Sequence, residues 1–348
     1  MSTRSETLLE LPRGRAQASR GNLRWRPVVA GPIVAVVTLV AALIATHDAN
    51  VPLRDPDNVA ALYLVLVILG VVLLAGIDIA ICAGRPSSPA ALARVRRERW
   101  TPGRMLAVAT AILSFYVSYM AYRNLKAVVP LLRPDELFDR PLAELDRELF
   151  AGHDPAALLH AVPGMDVWTH VLSTAYVAFI VFLPLSLGIA VVFASRLDAS
   201  LFYATALSLN WILGAGSYLL LPSLGPIYFE PSAFADLPHS EVTRLQTMLL
   251  EQRVDFLRDP VASTPQAIAA FASLHVSMSL TAAITAQLMG LGRRLRRGLW
   301  IWVGVTTVGT IYLGWHYVLD DVAGVVITVL ALALARLLTG VDPRAHPS

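Results

Sequence analysis

The chain is poor in charged residues and almost free of cysteine. Only 15% of its 348 residues are Asp, Glu, Lys or Arg, and 56% are hydrophobic, whereas soluble domains average about 25% charged residues. The single cysteine, Cys82, excludes an internal disulfide and a cysteine-based zinc site. A net charge of +3 is too small to indicate a nucleic-acid partner, and 21 Gly with 22 Pro exclude collagen-like and low-complexity chains. This composition indicates a polytopic membrane protein.

Long apolar runs predict an all-α bundle of about eight transmembrane helices. Each run has about 20 residues, which is enough to cross roughly 30 Å of hydrocarbon as a helix. The runs are continuously apolar and lack the alternation of a membrane barrel strand. The predicted spans are Val28–Thr46, Val59–Ala83, Met105–Tyr122, Val171–Ala194, Phe202–Leu221, Leu274–Leu291, Leu299–Trp315 and Val322–Leu338.

Three clusters of arginine predict the orientation of these spans. They precede the first span, fill the link between the second and third, and lie between the sixth and seventh. With eight spans all three fall on one side, which the positive-inside rule assigns to the cytoplasm, together with both termini. The first apolar run is longer than a signal-peptide core, so we expect it to be a retained anchor. The clustered residues are Arg4, Arg13, Arg15, Arg20, Arg24 and Arg26; Arg85, Arg94, Arg96, Arg97, Arg99 and Arg104; and Arg293, Arg294, Arg296 and Arg297.

Two long acidic segments lie on the opposite, extracytoplasmic side. They are Arg123–His170 and Pro222–Ala272. In Pro134–Leu159 the leucines recur among acidic residues at near-helical spacing, which predicts an amphipathic helix at the outer interface. Ser240–Leu257 predicts a second short helix. Long ordered loops on one face usually cover a site.

Polar residues at the outer ends of the spans form the candidate site. His316 and Asp320 are four residues apart, so on a helix they would share a face, and the carboxylate would accept the imidazole N–H. That bond fixes the tautomer and leaves the second ring nitrogen free as a nucleophile or base. His275 lies at the outer end of the sixth span, where Ser273 is placed to cap the helix. A capped helix start offers N–H groups and a positive dipole to a phosphate.

Lys126 is the only lysine of the chain; every other basic Lys/Arg position holds arginine. In a chain that otherwise uses arginine throughout, this single lysine suggests that arginine is disfavoured at this position. Lys126 lies just past the outer end of the third span, and Arg133 follows seven residues later. A flexible ammonium and a guanidinium at this spacing predict a phosphate clamp.

These residues resemble the type 2 phosphatidic acid phosphatase superfamily of membrane phosphatases and phosphotransferases. Its first signature, Lys-x6-Arg-Pro, is matched letter for letter by Lys126–Pro134. Its second, Pro-Ser-Gly-His, is similar to Ala272–His275, and its third, Ser-Arg-x5-His-x3-Asp, is similar to Gly309–Asp320. The order along the chain also matches, from the third span onward.

The resemblance implies four regions. Residues 1–26 would be a basic cytoplasmic tail, and residues 27–104 two additional N-terminal transmembrane helices with a basic loop. Residues 105–338 would be a six-helix phosphatase-like core, and residues 339–348 a second cytoplasmic tail.

The chain departs from the signatures at several positions, and two of these features are similar to one branch of the superfamily. Thr310 replaces the arginine of the third signature, so one phosphate ligand of the family is missing. Leu274 replaces glycine in the second, and Tyr312-x-Gly-x-His-Tyr in the third is similar to the branch that contains inositolphosphorylceramide synthases. In that branch the phosphoryl acceptor is often an alcohol rather than water.

The resemblance implies a two-step reaction on the phosphate of a lipid, without metal or other cofactor. His316 would attack phosphorus and form a phosphohistidine, with Asp320 orienting the ring. His275 would protonate the leaving oxygen and then deprotonate an acceptor alcohol or water. The phosphoryl oxygens would be held by Lys126, Arg133 and Ser273. The expected partners are a phospholipid or other lipid phosphate, a polyol acceptor such as inositol, and membrane lipids, with no nucleic acid.

The residues are consistent with three alternative functions. The first is a phosphotransferase that moves a phospho-headgroup, phosphoinositol among the candidates, to an alcohol; the second is a phosphatase acting on phosphatidate, prenyl diphosphate or a glycolipid phosphate. The third is a transporter or scaffold with a degraded site. The pair His316 and Asp320 could also bind a metal, but no third ligand stands at a suitable spacing.

Other polar residues have simpler interpretations. We expect Asp321 to be solvated or to lie behind the site, and Asn210 to join two helices. Asp78, well inside the second span, would bond a Ser or Tyr neighbour or reach toward the surface. No partner is predicted for four outer histidines, which are His153, His160, His170 and His239.

Overall fold

In a computed structural model, the described residues, 25–55, 58–84 and 88–345, form helices and no strand. The arginines at positions 4 to 24 and Arg85, which are used to predict the orientation, lie outside these described residues. Thirteen α-helices follow in chain order within them: α1 Trp25–Asp48, α2 Val59–Ala83, α3 Pro89–Arg99, α4 Pro102–Leu132, α5 Asp139–Leu149, α6 Pro155–His160, α7 Met165–Phe193, α8 Leu197–Leu220, α9 Pro226–Phe229, α10 Glu241–Arg258, α11 Leu274–Leu288, α12 Arg293–Tyr312 and α13 Val318–Thr339. A 3-10 turn, Pro231–Phe234, follows α9.

The fold confirms a polytopic helical membrane bundle. Each of the eight predicted spans corresponds to one long helix, and five of them (α1, α2, α4, α7 and α13) are long and apolar enough to cross a membrane by length and composition. Of the other three, α11 has only 15 residues, and α12 begins with four arginines among its first five residues.

The remaining helix that corresponds to a predicted span, α8, is the central helix of the bundle. All residues from Ala199 to Trp211 are buried, and the helix packs against α1, α4, α11 and α13. Because its sides face other helices, it carries polar residues that bond across the interfaces. Asn210 donates to Thr281 of α11 at 3.2 Å, which confirms its predicted role between helices.

The first helix is built into this bundle rather than added to its edge. α1 packs on α4, α8 and α13. The α1–α4 contact is close: a Cβ at Gly31 would lie 3.2 Å from the Cβ of Ser114. Small residues allow such an approach between membrane helices. The division of the chain into residues 27–104 and 105–338 remains a prediction, but α1 contacts the second region over much of its length.

The second helix lies at the periphery, packed on α7 and α3. Most of its apolar side chains are exposed, as expected for a helix facing lipid. Its buried acid, Asp78, accepts bonds from Arg99 Nε at 2.6 Å and from the Trp100 indole at 3.2 Å. The carboxylate thus has an arginine partner instead of the predicted Ser or Tyr, and it joins α2 to the end of α3.

Side-chain bonds distinguish the two ends of the bundle. At one end Arg26 donates to the carbonyl of Leu337 at 2.9 Å, and Arg196 donates to that of Asp342 at 3.2 Å. At the other end Arg54, from the α1–α2 connection, donates to the carbonyl of Pro260 at 2.6 Å. The first turn of α1 and the segment after α13 therefore lie at one end of the bundle, and the loops that carry the candidate site lie at the opposite end.

The helix predicted after Ser240 is present, and the single amphipathic helix predicted in Pro134–Leu159 is divided into two. Pro134–Leu159 contains α5 and part of α6, and α10 begins after Ser240, whose side chain accepts from Thr243 N in a capping box. Both elements lie against the bundle and, as described below, α5 positions part of the site.

Candidate active site

A buried histidine–aspartate pair lies in the turn between α12 and α13. Nδ1 of His316 is 3.3 Å from Oδ2 of Asp320, and the two residues are 6% and 0% exposed. The four-residue spacing predicts this contact through a shared helical face, and that geometry is wrong. His316 precedes α13, and Asp320 reaches back as the third residue of the helix, accepting the Tyr317 N–H at 2.9 Å. A capping turn thus makes the pair.

This pairing orients the imidazole. The tautomer with the proton on Nδ1, directed to Asp320, places the lone pair on Nε2. Burial, together with the positive charge of Lys126, lowers the pKa of His316 to about 3, although a hydrogen bond with the backbone of Ala270 opposes this change. The ring is therefore neutral at physiological pH.

His275 lies beside this pair on the first turn of α11. Its ring centroid is 6.2 Å from that of His316. It stacks on Tyr176 at 4.2 Å and contacts Phe179 at 4.3 Å, both from α7. Tyr176 also stacks on Trp315 at 5.0 Å, next to His316 in sequence. Spacing within the chain cannot predict this aromatic support, because α7 lies about a hundred residues before α11.

Lys126 completes the group. Its Nζ lies 5.2 Å from the ring of Tyr218 and 5.8 Å from that of Tyr122, a cation–π environment. Among the described residues its ammonium contacts these rings rather than a carboxylate, so its charge is uncompensated. Lys126, His275 and His316 line one cavity of about 280 Å³.

Ser273 and Arg133 occupy other positions. Ser273 caps α11 as predicted, since its Oγ accepts from Val276 N at 3.5 Å, but the residue is fully buried and does not line the cavity. Arg133 donates to the Leu219 carbonyl at 2.6 Å and pairs with Glu136. The structure does not bring its guanidinium to the cavity, and a phosphate-binding role for either residue remains a prediction.

Two aspartates of α5 hold the turn that carries His316, a role that the amphipathic pattern does not reveal. Oδ2 of Asp146 accepts the Val318 N–H at 2.8 Å, and Asp139 accepts the Tyr317 hydroxyl at 3.1 Å. Asp139 also accepts the amides of Leu224 and Gly225. Burial raises the pKa of both carboxyls, although the N–H donors oppose that change. The sequence contains a partial signal for this role, because the two acids are seven residues apart and share the helical face of buried Leu142. That spacing does not indicate which groups the two acids bond.

The sequence predicts Asp321 to be solvated or to lie behind the site, and its burial excludes the first alternative. It is 5% exposed, and its Oδ2 accepts from the Thr310 hydroxyl at 3.1 Å. Thr310 stands where the resembling family has arginine, so this carboxylate is held by a hydroxyl and not by a cation. His160, expected to lack a partner, also has one, because its Nε2 lies 2.8 Å from the carbonyl oxygen of Tyr312.

Gly225 permits the close approach of the loop after α8 to the His316 turn. Its φ is 104°, and a Cβ there would lie 2.5 Å from the carbonyl oxygen of Trp315. We expect Gly225→Ala to shift this turn, to lower the free energy of unfolding by about 1–3 kcal/mol from backbone strain alone, and to reduce turnover. Thermal unfolding and activity of the purified protein measure both effects.

Gly152→Ala is the matched control for this variant. Gly152 also has a positive φ, 89°, but its Cβ would meet nothing within 4 Å. It should therefore show the strain without the loss of activity. Equal activity of the two variants would mean that the contact with Trp315 does not position the site.

No carboxylate, histidine or cysteine cluster in the described part of the chain has three members that could hold a metal ion. The reaction without metal stays a prediction.

A sequence model described as the PAP2 superfamily matches residues 140–334, more than half of the chain. The match contains Ser273, His275, His316 and Asp320 and begins after Lys126 and Arg133. No curated protein and no solved structure matches this chain.

Proposed function

This chain belongs to the PAP2 superfamily, and on that premise we propose that it transfers a phospho-headgroup from a lipid to an alcohol through a phosphohistidine. Membership makes it a membrane enzyme of the phosphatase and phosphotransferase type that acts on lipid phosphates. The transfer, its covalent intermediate and phosphoinositol as the transferred group, as in the inositolphosphorylceramide synthase-like branch, are the proposal.

One observation carries the proposal: His316, which is paired with buried Asp320, lines the same cavity as His275 and Lys126. In the first step Nε2 of His316 attacks phosphorus, and the bond from phosphorus to the leaving oxygen breaks. The imidazolium that forms is stabilised by the carboxylate of Asp320, which lies 3.3 Å from Nδ1. Positive charge from Lys126 stabilises the phosphoryl oxygens as charge grows on them.

His275 is the proposed acid and base. It donates a proton to the leaving oxygen in the first step, and it removes the proton of the acceptor alcohol in the second. The acceptor oxygen then bonds to phosphorus as the bond to His316 breaks, which regenerates the free histidine. The 6.2 Å between the two ring centroids leaves room for a phosphoryl group between the rings.

Apolar surroundings favour a bound alcohol over water as the acceptor. His275 packs against Tyr176 and Phe179, and Leu274, which stands where the family has glycine, also lines the cavity. Such walls limit the access of bulk water to a phosphohistidine. The intact pair and the unpaired charge of Lys126 also argue against a degraded transporter or scaffold.

We also propose that eight helices cross the membrane, with both termini in the cytoplasm and the site on the extracytoplasmic face. The distribution of arginine supports this orientation. It is supported further by Arg26 and Arg196, which bond to groups at the end of the bundle opposite to Lys126. A site at the helix ends lets a lipid enter from the bilayer while its chains stay in an apolar environment.

Product analysis tests the proposed reaction. Purified protein is incubated with phospholipids labelled in the phosphate, with and without inositol or another polyol. A labelled headgroup conjugate that forms only with the acceptor is the expected result. Capture by water in every arm, seen as labelled free headgroup phosphate from a diester donor or labelled inorganic phosphate from a monoester donor, would contradict transfer and identify a hydrolase.

A further inference from the structure

The cavity at His316 continues far beyond the reacting groups. From Lys126 it follows α4 back to Ile112, about four helical turns or roughly 21 Å. Along α7 it extends from Tyr176 to Pro184. The walls away from Lys126 and the histidines are aliphatic and aromatic, which makes this part a site for hydrocarbon.

One wall of this extension comes from α2. Tyr63, Leu64 and Val67 line the cavity, on a helix that packs beside α7. A close contact holds the two helices together, since a Cβ at Gly188 of α7 would lie 3.3 Å from Cδ1 of Leu74. Neither α2 nor the lining part of α4 belongs to residues 140–334, which match the family model. This wall is therefore contributed by a part of the chain that family membership does not describe.

We propose that the extension holds the hydrocarbon chain of the lipid-phosphate substrate, and that Leu64 and Val67 of α2 set the length of chain that fits. The proposal rests on the proposed function, because it requires the phosphate to lie at His316. An anionic headgroup at the single cation lining the cavity, Lys126, places the attached chain in the apolar part. The chain moves from one apolar environment to another, so its preferred length would be set by how well it fits the walls of the extension rather than by the hydrophobic effect.

Chain-length dependence tests this inference. The substrates are dihexanoyl, didecanoyl and dioleoyl phosphatidylinositol at a fixed fraction in detergent micelles, with a polyol acceptor present. For the wild type, kcat/KM should depend on chain length. Val67→Trp fills the extension and should reduce kcat/KM for the dioleoyl lipid about tenfold or more, while that for the dihexanoyl lipid stays within about twofold.

Leu66→Trp is the matched control. Leu66 lies one residue away on the same helix, is 54% exposed and does not line the cavity. It should keep the wild-type length profile. Identical profiles for Val67→Trp and Leu66→Trp would overturn the inference and indicate that bulk membrane lipid fills the extension.

Two further measurements cover the other outcomes. If Val67→Trp does not fold, Val67→Ala enlarges the extension and should shift the preference toward longer chains; an unchanged preference would contradict the inference. Binding of phosphonate analogues, in which a P–C bond prevents cleavage, gives the same comparison without turnover. Affinity that is independent of chain length would overturn the chain site, whereas absent turnover with length-dependent affinity would overturn only the proposed reaction.

Discussion

His316→Ala should lower turnover by about four orders of magnitude or more, because it removes the group that forms the covalent intermediate. The residue is buried in a turn held by Asp139 and Asp146, so the alanine variant keeps the backbone contacts of the turn. We therefore expect it to insert, to purify and to bind lipid phosphate. Initial rates with a labelled phospholipid measure the loss.

The intermediate gives a second and independent measurement. Wild-type protein quenched during turnover should carry labelled phosphate on histidine, a bond that is stable to base and labile to acid, and His316→Ala should carry none. His239→Ala serves as the control, because His239 is exposed and lies in the loop before α10. Undiminished turnover by purified His316→Ala protein would end the proposed mechanism.

The local parts of the site are predictable from the sequence because they depend on short spacings. The pair of His316 and Asp320 follows from a separation of four residues, although the structure makes it through a capping turn. The cap of Ser273 on α11 follows from its place before an apolar run. Both contacts depend on residues that the chain already holds together.

The supporting parts depend on contacts between distant segments, which no local pattern contains. The acids of α5 have the periodicity of an ordinary amphipathic helix, yet Asp139 and Asp146 turn inward to accept amides of the loop after α8 and of the start of α13. Asp321 likewise has a spacing that removes it from His316, and its burial becomes visible only when α12 brings Thr310 beside it. Composition and local spacing therefore do not reveal which carboxylates are buried and accept several N–H groups.

The positions of the helices can likewise be predicted from the local sequence, whereas the packing between the helices cannot. Apolar runs locate eight helices, five of which have the length and composition that a bilayer requires. Their packing depends on small residues: Gly31 allows α1 to lie against α4, although the resemblance implies that α1 is an addition. The place of α2 beside α7, where it lines part of the cavity, is likewise absent from the local pattern.

His275→Phe should slow the reaction by about 10²–10⁴-fold with an alkyl lipid phosphate, because the leaving alkoxide then departs without a proton. Phenylalanine keeps a ring between Tyr176 and Phe179, which limits the packing loss that alanine would cause. With a lipid analogue whose leaving group is nitrophenol, the oxygen leaves as a stable anion. For that substrate the variant should retain its first step to within about tenfold.

The ratio of the two rates is what distinguishes acid catalysis from a structural defect. A partly unfolded preparation loses both activities in equal proportion, so its ratio equals that of the wild type. Only the loss of a proton donor changes the ratio, and it does so in favour of the better leaving group. Phe179→Leu, which alters the same packing while leaving the imidazole in place, should reduce both rates together. An equal loss on both substrates in His275→Phe would remove His275 from the role of acid, since the 6.2 Å between its ring and that of His316 would then reflect packing alone.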